Sequence, residues 1–212
     1  MKVTLIDYTK DGMHLIANMA RATRKNSLDL SEHKNNEQFV RNLIKVGHLG
    51  ILEHITFTFN VSEVSRCLTH QLVRHRIASY LQQSNRHVKP KWEDYVIPHT
   101  CMTPSDWTEE DGKVDTHEIF EWTMDKAYAG YQDLIAHGVP VEDARYVLPP
   151  AFYTHISMTM NARTLRHFLK LRLDKQAQWE IRELANKIFE IVYEKYPIVF
   201  EDLLEEAQKR PL

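Results

Sequence analysis

The sequence has few cysteines and no long apolar run. It holds two cysteines in 212 residues, Cys67 and Cys101, and no stretch approaches the roughly 18 consecutive apolar residues of a membrane-spanning helix. The amino terminus also lacks the basic segment followed by an apolar one that marks a secretory signal. We therefore expect a cytoplasmic protein with no membrane contact, whose cysteines are free thiols.

Internal repeats, low-complexity segments and linkers are absent as well. The chain is 43% hydrophobic and 26% charged, which excludes a disordered or collagen-like protein. Its length suits one sizeable core better than two independent ones. We predict a single domain over residues 1–212.

Acidic residues are missing from two runs of the sequence. None lies between Glu63 and Glu93 or between Asp143 and Asp174, although the whole chain has 29 acids and 27 cations. The slight overall acidity argues against an indiscriminate polyanion binder. Two cation-rich runs in such a chain favour a pocket for phosphate-bearing small molecules, although solvated basic faces explain either run alone. The cations in these runs are Arg66, Arg74, Arg76, Arg86, Lys89, Lys91, Arg145, Arg163, Arg166, Lys170 and Arg172.

Hydrophobic periodicity predicts helices mixed with a few strands. The expected fold is α+β, with a mixed sheet flanked by helices. The predicted strands are Lys2–Tyr8, Ile55–Val61 and Ala151–Met160. The predicted helices are Asn35–Val46, 63–74 capped by Ser62, Val114–His137, Val141–Val147, 162–172, 176–195 and a short acidic helix after Pro197, with 97–113 as a surface connection.

The predicted helix over 63–74 places Arg66, His70 and Arg74 on one face, beside a buried stripe that includes Cys67. The polar segment that follows, with three cation-capable residues at 74–76 and amides and hydroxyls at 82–86, suits recognition of a phosphate and a base edge. Arginine suits phosphate because its planar fork donates two hydrogen bonds at once. Basic residues that neutralise a helix C-terminus explain the cations but not the amide cluster.

The predicted helix over 162–172 carries an arginine on its apolar face. Arg172 lies at the centre of the stripe formed by Leu165, Phe168 and Leu169, so it must reach water, a carboxylate or an anionic ligand. Arg163, His167 and Lys170 lie on the opposite face. Two polar faces suggest a helix between its own core and a neighbouring subunit, and an ion pair of Arg172 with Asp174 or Glu180 is the alternative.

Several motifs, in order, resemble the flavin-dependent thymidylate synthases. The sequence R-H-R-x7-S at 74–84 resembles the signature of that family, and its neighbours are H-I-T-F-T-F at 54–59, A-R-Y-V-L-P at 144–149, N-A-R-T-L-R-H-F-L-K-L-R at 161–172 and A-Q-W-E-I-R at 177–182. The resemblance spans nearly the whole chain. It implies the fold of that family and a homotetramer with active sites between subunits, which binds FAD, dUMP, methylene-tetrahydrofolate and NADPH.

The same resemblance implies roles for individual residues. Arg172 matches an arginine that polarises the uracil and is the implied catalytic residue. Gln82, His87 and His167 stand where other members have Glu, Tyr and Asn respectively. The implied FAD contacts are His54, Thr56, Arg74, His75, Arg76, Gln82, Asn161, Ala162, Arg163 and His167. The implied dUMP contacts are Gln71, Arg74, Gln82, Gln83, Ser84, Asn85, Arg86, Arg145 and Arg172, with Arg145 on the phosphate.

The side chains available suggest chemistry without an enzyme nucleophile. Cys67 falls on a predicted buried stripe and Cys101 lacks basic neighbours in the sequence, so neither resembles an activated thiolate. No histidine–acid pair is evident to activate Ser84, which we interpret as a phosphate ligand. Reduced flavin can supply the hydride, which leaves Arg172 to stabilise negative charge on the pyrimidine.

Two other functions compete for the same residues. A single-stranded nucleic-acid-binding protein would use the same cations with Tyr80 and Trp92 for stacking, and would be colourless with a steep salt dependence. A metal site is not predicted: His70 and His75 are five residues apart, off the i, i+4 spacing, and His99 with Cys101 is too sparse.

Overall fold

The computed structural model describes residues 1–23, 35–102 and 115–204. Its strands are β1 (Lys2–Tyr8), β2 (Thr56–Ser65), β3 (Ala78–Gln82) and β4 (Tyr153–Asn161). Its α-helices in these ranges are α1 (Gly12–Ala22), α2 (Asn36–Lys45), α3 (Arg66–Leu72), α4 (Thr116–Ala136), α5 (Val141–Ala144), α6 (Ala162–Arg172), α7 (Trp179–Lys195) and α8 (Pro197–Phe200). Short 3₁₀ turns cover Leu49–His54, His99–Cys101, Arg145–Val147 and Glu201–Leu203.

The four strands form one antiparallel sheet in the order β1-β2-β4-β3. Phe57, Phe59 and Val61 alternate along β2 and are fully buried, because successive side chains of a strand point to opposite faces. The α+β prediction is confirmed. The expectation of a mixed sheet is wrong for the described strands, because apolar alternation shows which face is buried but not the direction of neighbouring strands.

Packing divides the chain into two compact units, which we describe separately. Unit 1 comprises the described parts of Met1–Val61, Gln71–Leu81 and Ile156–Leu212, and its core includes Phe57, Phe59 and Phe200 in stacked and edge-on ring contacts. Unit 2 comprises the described parts of Ser62–His70 and Gln82–His155, and Tyr95, Met124 and Phe152 form a core cluster in it. The prediction of one domain over 1–212 stays a prediction.

The first predicted basic helix differs from the structure at both ends. Strand β2 continues to Ser65, so α3 begins at Arg66 instead of Glu63, and it ends at Leu72 before Arg74. Glu63 has φ 57°, a left-handed conformation that a right-handed helix does not contain. Arg66, His70 and Arg74 therefore do not share one helical face.

Cys67 is exposed, which corrects its predicted place on a buried stripe. The predicted stripe began at Val64 and assumed helical phase from there; Val64 is buried, but it lies in β2. Leu68 and Leu72, which were predicted on the same stripe, are buried, and of that stripe only Cys67 faces outward from α3. Exposure alone does not make a thiol nucleophilic, because reactivity follows thiolate character.

Most other predicted elements agree with the structure within a few residues. Strand β1 and helix α6 have the predicted bounds, whereas α1 and β3 were not predicted. Of the predicted connection over 97–113, the described part contains the turn His99–Cys101, and residues 103–113 lie outside the described residues, as does Val114. None of the helices in the described ranges is both long and apolar enough to cross a bilayer.

Candidate functional site

Helix α6 presents an apolar face to the core and a basic face away from it. Asn161 caps the helix, because its Oδ1 accepts a hydrogen bond of 2.9 Å from the Thr164 backbone N–H. Leu165, Phe168 and Leu169 are fully buried. The exposed face carries Arg163, His167 and Lys170, as predicted. The cap fixes the residue at which α6 begins, and the buried face fixes the rotation of the helix. Together they set the positions of the polar side chains.

The segment from Arg74 to Ile77, which we call the α3–β3 connection, is held by Tyr80. The Tyr80 hydroxyl lies 2.9 Å from the backbone oxygens of both Leu72 and His75, which share its single proton in a bifurcated hydrogen bond. Burial raises the pKa of Tyr80 to about 12, so the hydroxyl keeps its proton at neutral pH. One side chain of β3 therefore ties down the backbone on both sides of Arg74.

A cavity of about 1010 Å³ lies within unit 1, bordered by the α3–β3 connection and α6. It brings together cations from two segments almost 100 residues apart in sequence, as the sequence led us to expect for Arg74 and Arg172. The predicted site residues that line it are Arg74, His75, Arg76, Asn161, Arg163, His167 and Arg172. The remaining lining residues are Leu49, Glu53, Ile77, Thr164, Arg166, Lys170, Leu171, Asp202 and Leu203.

The cations that line this cavity, which we call the unit 1 cavity, fall into two groups. Arg163 pairs with Glu53 at 2.6 Å, and Arg166 makes a two-point pair with Asp202 at 2.6 Å. Arg166 also donates to the backbone oxygen of Val199. In contrast, no carboxylate of the described residues pairs with the lining cations Arg74, Arg76, Lys170 and Arg172. The cavity therefore has an excess of positive charge.

Arg172 and His75 meet at the wall of the unit 1 cavity. Arg172 Nε lies 3.1 Å from His75 Nε2 and donates to it. His75 is only 8% exposed, and burial, then the charges of Arg172 and His167, lower its pKa to about 4. His75 is therefore neutral at pH 7. Because Nε2 accepts, the ring proton lies on Nδ1.

The predicted dUMP contacts in unit 2 have polar partners within that unit. Gln82 Nε2 donates to Thr69 Oγ1 at 3.1 Å and Thr154 Oγ1 at 3.3 Å. Gln83 and Asn85 line a small cavity of about 180 Å³. Arg145 Nε donates to the Glu142 backbone oxygen at 2.9 Å, and Arg86 lies 3.5 Å from the Glu142 carboxylate. Ser84 Oγ accepts from the Arg86 N–H at 3.2 Å.

The remaining predicted residues of unit 1 do not line the unit 1 cavity. His54 borders another cavity, of about 520 Å³, together with Phe39 and His48. Thr56 bonds to the hydroxyl of Thr9. Ala162 is fully buried, and its N–H donates to the Ile55 oxygen at 2.7 Å. Gln71 is half-buried on α3.

Sequence reasoning missed several residues that shape these sites. Glu53 and Asp202 neutralise arginines of α6, and Tyr80 ties the connection instead of offering a stacking face. Trp92, the other predicted stacking residue, packs in unit 2 against Tyr95 and Tyr128. No local pattern marks such partners, because the pair between Glu53 and Arg163 spans 110 residues.

Arg66 was counted among the cations of the sequence but not as a site residue. Its guanidinium donates to the Gln83 oxygen at 3.2 Å and to Asn85 Oδ1 at 2.5 Å. Its pKa is lowered, first by burial and then by the charge of Arg145. Its buried Nε has no hydrogen-bond partner in the described part of the chain. Arg66 therefore organises the loop that carries the predicted dUMP contacts.

Comparison with known proteins places the chain in a family. Residues 4–198 match the family described as thymidylate synthase complementing protein. A flavin-dependent thymidylate synthase of Saccharolobus solfataricus is 42% identical over 208 residues, which cover 94% of this chain and 75% of the relative. An enzyme of that name from Geobacter sulfurreducens is 39% identical over 210 residues, covering 95% and 86%. A third, from Pyrococcus furiosus, is 40% identical over 199 residues, covering 90% and 78%. The chain, whose cation-lined cavity joins the R-H-R segment to α6, belongs to the flavin-dependent thymidylate synthase family.

Proposed function

We propose that the chain catalyses the reductive methylation of dUMP to dTMP, with methylene-tetrahydrofolate as one-carbon donor, FAD as cofactor and NADPH as reductant. The observation that carries the proposal is the meeting of Arg172 with the α3–β3 connection at one cavity. Family membership supports the reaction class.

The residues of the unit 1 cavity suit a flavin dinucleotide. Lining cations without a carboxylate partner among the described residues, such as Arg74 and Arg76, match its two phosphates. Apolar side chains such as Ile77 and Leu171 match an aromatic ring system. The volume of about 1010 Å³ is at the upper end of ordinary ligand sites. The donor set and the size of this cavity therefore fit FAD.

Asn161 is well placed for this role within the proposal. Its Oδ1 is used by the helix cap, which leaves the Nδ2 amide group to donate to a ligand in the unit 1 cavity. We propose that Arg74, Arg76, Asn161, Arg163 and His167 hold FAD. When bound and reduced, FAD supplies the hydride that completes the methyl group.

Arg172 is the residue that we propose acts on the pyrimidine. Its Nε is used by His75, and its terminal nitrogens make no hydrogen bond to a described residue. They can therefore donate to a uracil oxygen on which negative charge develops. Preformed donors at such a position stabilise the charge without reorganisation during the reaction.

The residues of unit 2 are proposed to bind the nucleotide. Arg145 would hold the phosphate, and Gln82, Gln83, Ser84, Asn85 and Arg86 would contribute hydrogen bonds to dUMP, as the family resemblance implies. The loop formed by Gln83 and Asn85 is already fixed by Arg66. A preorganised loop costs less ordering entropy when the substrate binds.

No enzyme nucleophile is part of this proposal. The Ser84 hydroxyl accepts a hydrogen bond from a backbone N–H, and no hydrogen bond to a basic side chain of the described residues activates it. Cys67 is exposed and Cys101 half-buried. The protein binds, orients and polarises dUMP, and the bond changes proceed without a covalent enzyme adduct.

We also propose a homotetramer with active sites between subunits. Ile77 and Leu171 border the unit 1 cavity and are 73% and 47% exposed. Leu81, on the same edge strand as Tyr80, is 77% exposed. Exposed large apolar side chains that lie together, as Ile77 and Leu171 do at this cavity, are typical of an interaction site. These exposed side chains support coverage by another subunit.

Replacing Arg172 tests the proposed function. Arg172→Ala should lower kcat for dTMP formation about 10²- to 10³-fold, as loss of one preorganised donor to a developing charge does in other enzymes. Ser84→Ala serves as the companion variant, in which a higher KM for dUMP is the main expected change. Near-normal turnover by Arg172→Ala, or a covalent adduct between Ser84 and dUMP seen by mass spectrometry, would contradict the proposal.

A further inference from the structure

The contact between Arg172 and His75 joins two segments that are 97 residues apart in the sequence. Arg172 is the last residue of α6, and His75 lies in the α3–β3 connection. The His75 ring packs edge-on against Phe168, one turn before Arg172, at 5.0 Å between ring centroids. His75 therefore contacts both the end of α6 and the buried side of that helix.

The surroundings of His75 leave its ring little freedom. Its backbone oxygen accepts from Tyr80, Phe168 packs against one side, and His167 lies 6.4 Å away between ring centroids. The ring is nearly buried. The charged or titratable groups that act on it are Arg172 and His167, and burial is the largest cause of its low pKa. A neutral, fixed ring presents its Nε2 lone pair in one direction.

We propose that His75 is a positioning residue for Arg172: it accepts the Nε hydrogen bond and thereby fixes the plane of the guanidinium group for work on the substrate. This role rests on the proposed function, in which Arg172 acts on the pyrimidine. It differs from the FAD contact that the family resemblance implies for His75, because it acts through another side chain of the protein.

Positioning matters for Arg172 because an arginine side chain is flexible. The side chain has four rotatable bonds and many rotamers when nothing fixes it. A hydrogen bond to Nε uses the one N–H that does not point toward the ligand end of the guanidinium fork. The two terminal nitrogens then remain available to the substrate in a fixed orientation. Displacement of a catalytic group by about 1 Å can lower a rate about 10²-fold.

The chain allows a matched set of variants at this position. Glutamine places its side-chain oxygen about where Nε2 of histidine lies, whereas asparagine reaches only about as far as Nδ1. His75→Gln therefore restores the acceptor, and His75→Asn does not. His75→Phe keeps an aromatic ring against Phe168 but removes the acceptor. His137→Gln, at an exposed position after α4, controls for the loss of a histidine elsewhere.

The test measures kcat and the dUMP KM for these variants in the FAD-loaded enzyme, each with and without Arg172→Ala. His75→Phe and His75→Asn should lower kcat about tenfold or more, with a smaller change in KM, and His75→Gln should recover a large part of kcat. With Arg172 replaced by alanine, His75→Phe should have almost no further effect, because coupled residues are not additive.

A second readout does not depend on activity. ¹⁵N NMR of protein labelled with ¹⁵N-histidine, recorded without substrate, should show a neutral His75 ring at pH 7. Its proton should be on Nδ1, and Nε2 should be unprotonated. The signals of His75 are identified as those missing from the spectrum of His75→Gln. Arg172→Ala should change the Nε2 signal of His75. A proton on Nε2 in the wild type would overturn the proposed hydrogen bond without any kinetic measurement.

The kinetic outcomes separate this inference from the proposed function. Suppose that Arg172→Ala lowers kcat, and that His75→Phe lowers kcat by the same factor whether Arg172 is present or replaced by alanine. The positioning role of His75 is then wrong, and the role of Arg172 stands. Failure of His75→Gln to exceed His75→Asn in kcat would also overturn it. If Arg172→Ala turns over normally, the proposed function of Arg172 fails, and the positioning role fails with it.

Discussion

Arg166 of α6 and the arginines of the α3–β3 connection border the same cavity but have different partners. Arg166 donates to Asp202 and to the Val199 oxygen, and only 12% of its side chain is accessible. Arg74 and Arg76 are exposed, and no carboxylate of the described residues pairs with them. Arg166 is paired with a carboxylate and holds α6 to residues 199–202, whereas Arg74 and Arg76 have no described carboxylate that would compete with a ligand.

The comparison shows that a count of cations does not locate a binding site. Both groups come from the acid-free runs of the sequence, and on a helical wheel or in a charge plot they look alike. The difference lies in the carboxylates that fold against them. The first two predictions below test whether a mostly buried carboxylate pair, such as that of Arg166, separates a cation that holds the fold from those that bind a ligand. The third concerns the buried ring of His75.

The largest effect is expected when both unpaired arginines are removed. Arg74→Ala with Arg76→Ala should weaken FAD binding at least about 100-fold, because each charged hydrogen bond contributes about 1.5–3 kcal/mol. Titration of the apoprotein with FAD, followed by flavin fluorescence, measures it. Lys187→Ala removes an exposed cation on α7 that already pairs with Glu183 and serves as control. FAD affinity within about threefold of wild type in the double variant would remove the distinction between the two groups.

Arg166→Ala tests the paired group. The change removes a two-point ion pair and a backbone hydrogen bond from a mostly buried side chain, so we expect unfolding to require about 2 kcal/mol less free energy. Urea denaturation at pH 7 measures this change, and Asp202→Asn should reproduce part of it. A loss below about 0.5 kcal/mol, typical of a solvated surface pair, would show that Arg166 does not hold the structure.

The pH dependence of stability gives the smallest expected effect when it is compared over one pH unit. His75 has a pKa of about 4 in the folded chain against an ordinary value of 6.5. Between these values the unfolded chain binds a proton that the folded chain does not. The wild type should therefore lose stability as the pH falls from 6.5 toward 4, by up to about 1.4 kcal/mol per pH unit.

His75→Gln provides the reference for that measurement, since it lacks the titrating ring. Above pH 6.5 the two proteins should show parallel stability, and below it the wild type should fall more steeply in urea denaturation. Equal slopes for both proteins between pH 6.5 and 5 would mean that His75 is protonated in the folded state. That result would also contradict an acceptor at Nε2.

Helix α6 could be predicted from sequence because its signals are local. Asn161 is a good N-cap, and Leu165, Phe168 and Leu169 recur at helical spacing, so cap and stripe agree. The same reasoning failed at α3. Ser62 and Glu63 look like a helix start, but β2 runs on through Ser65 because its partner β4, about 100 residues away, pairs with it.

The site shows the same division between local and long-range information. The R-H-R segment and the N-A-R segment were recognisable as motifs, and the structure brings Arg74 and Arg172 to one cavity. The carboxylates that pair with some of these cations could not be predicted. Glu53 and Asp202 are distant from their arginines in the sequence and meet α6 only in the folded chain. The fixing of Arg172 by His75 is likewise a product of tertiary structure.

The most direct test of the account is a crystal structure of the protein grown with FAD and dUMP. We expect flavin density in the unit 1 cavity, phosphates beside Arg74 or Arg76, and the Arg172 guanidinium facing the uracil while its Nε remains bonded to His75. FAD density away from this cavity, or Arg172 turned from the uracil toward a carboxylate of its own subunit, would contradict these assignments.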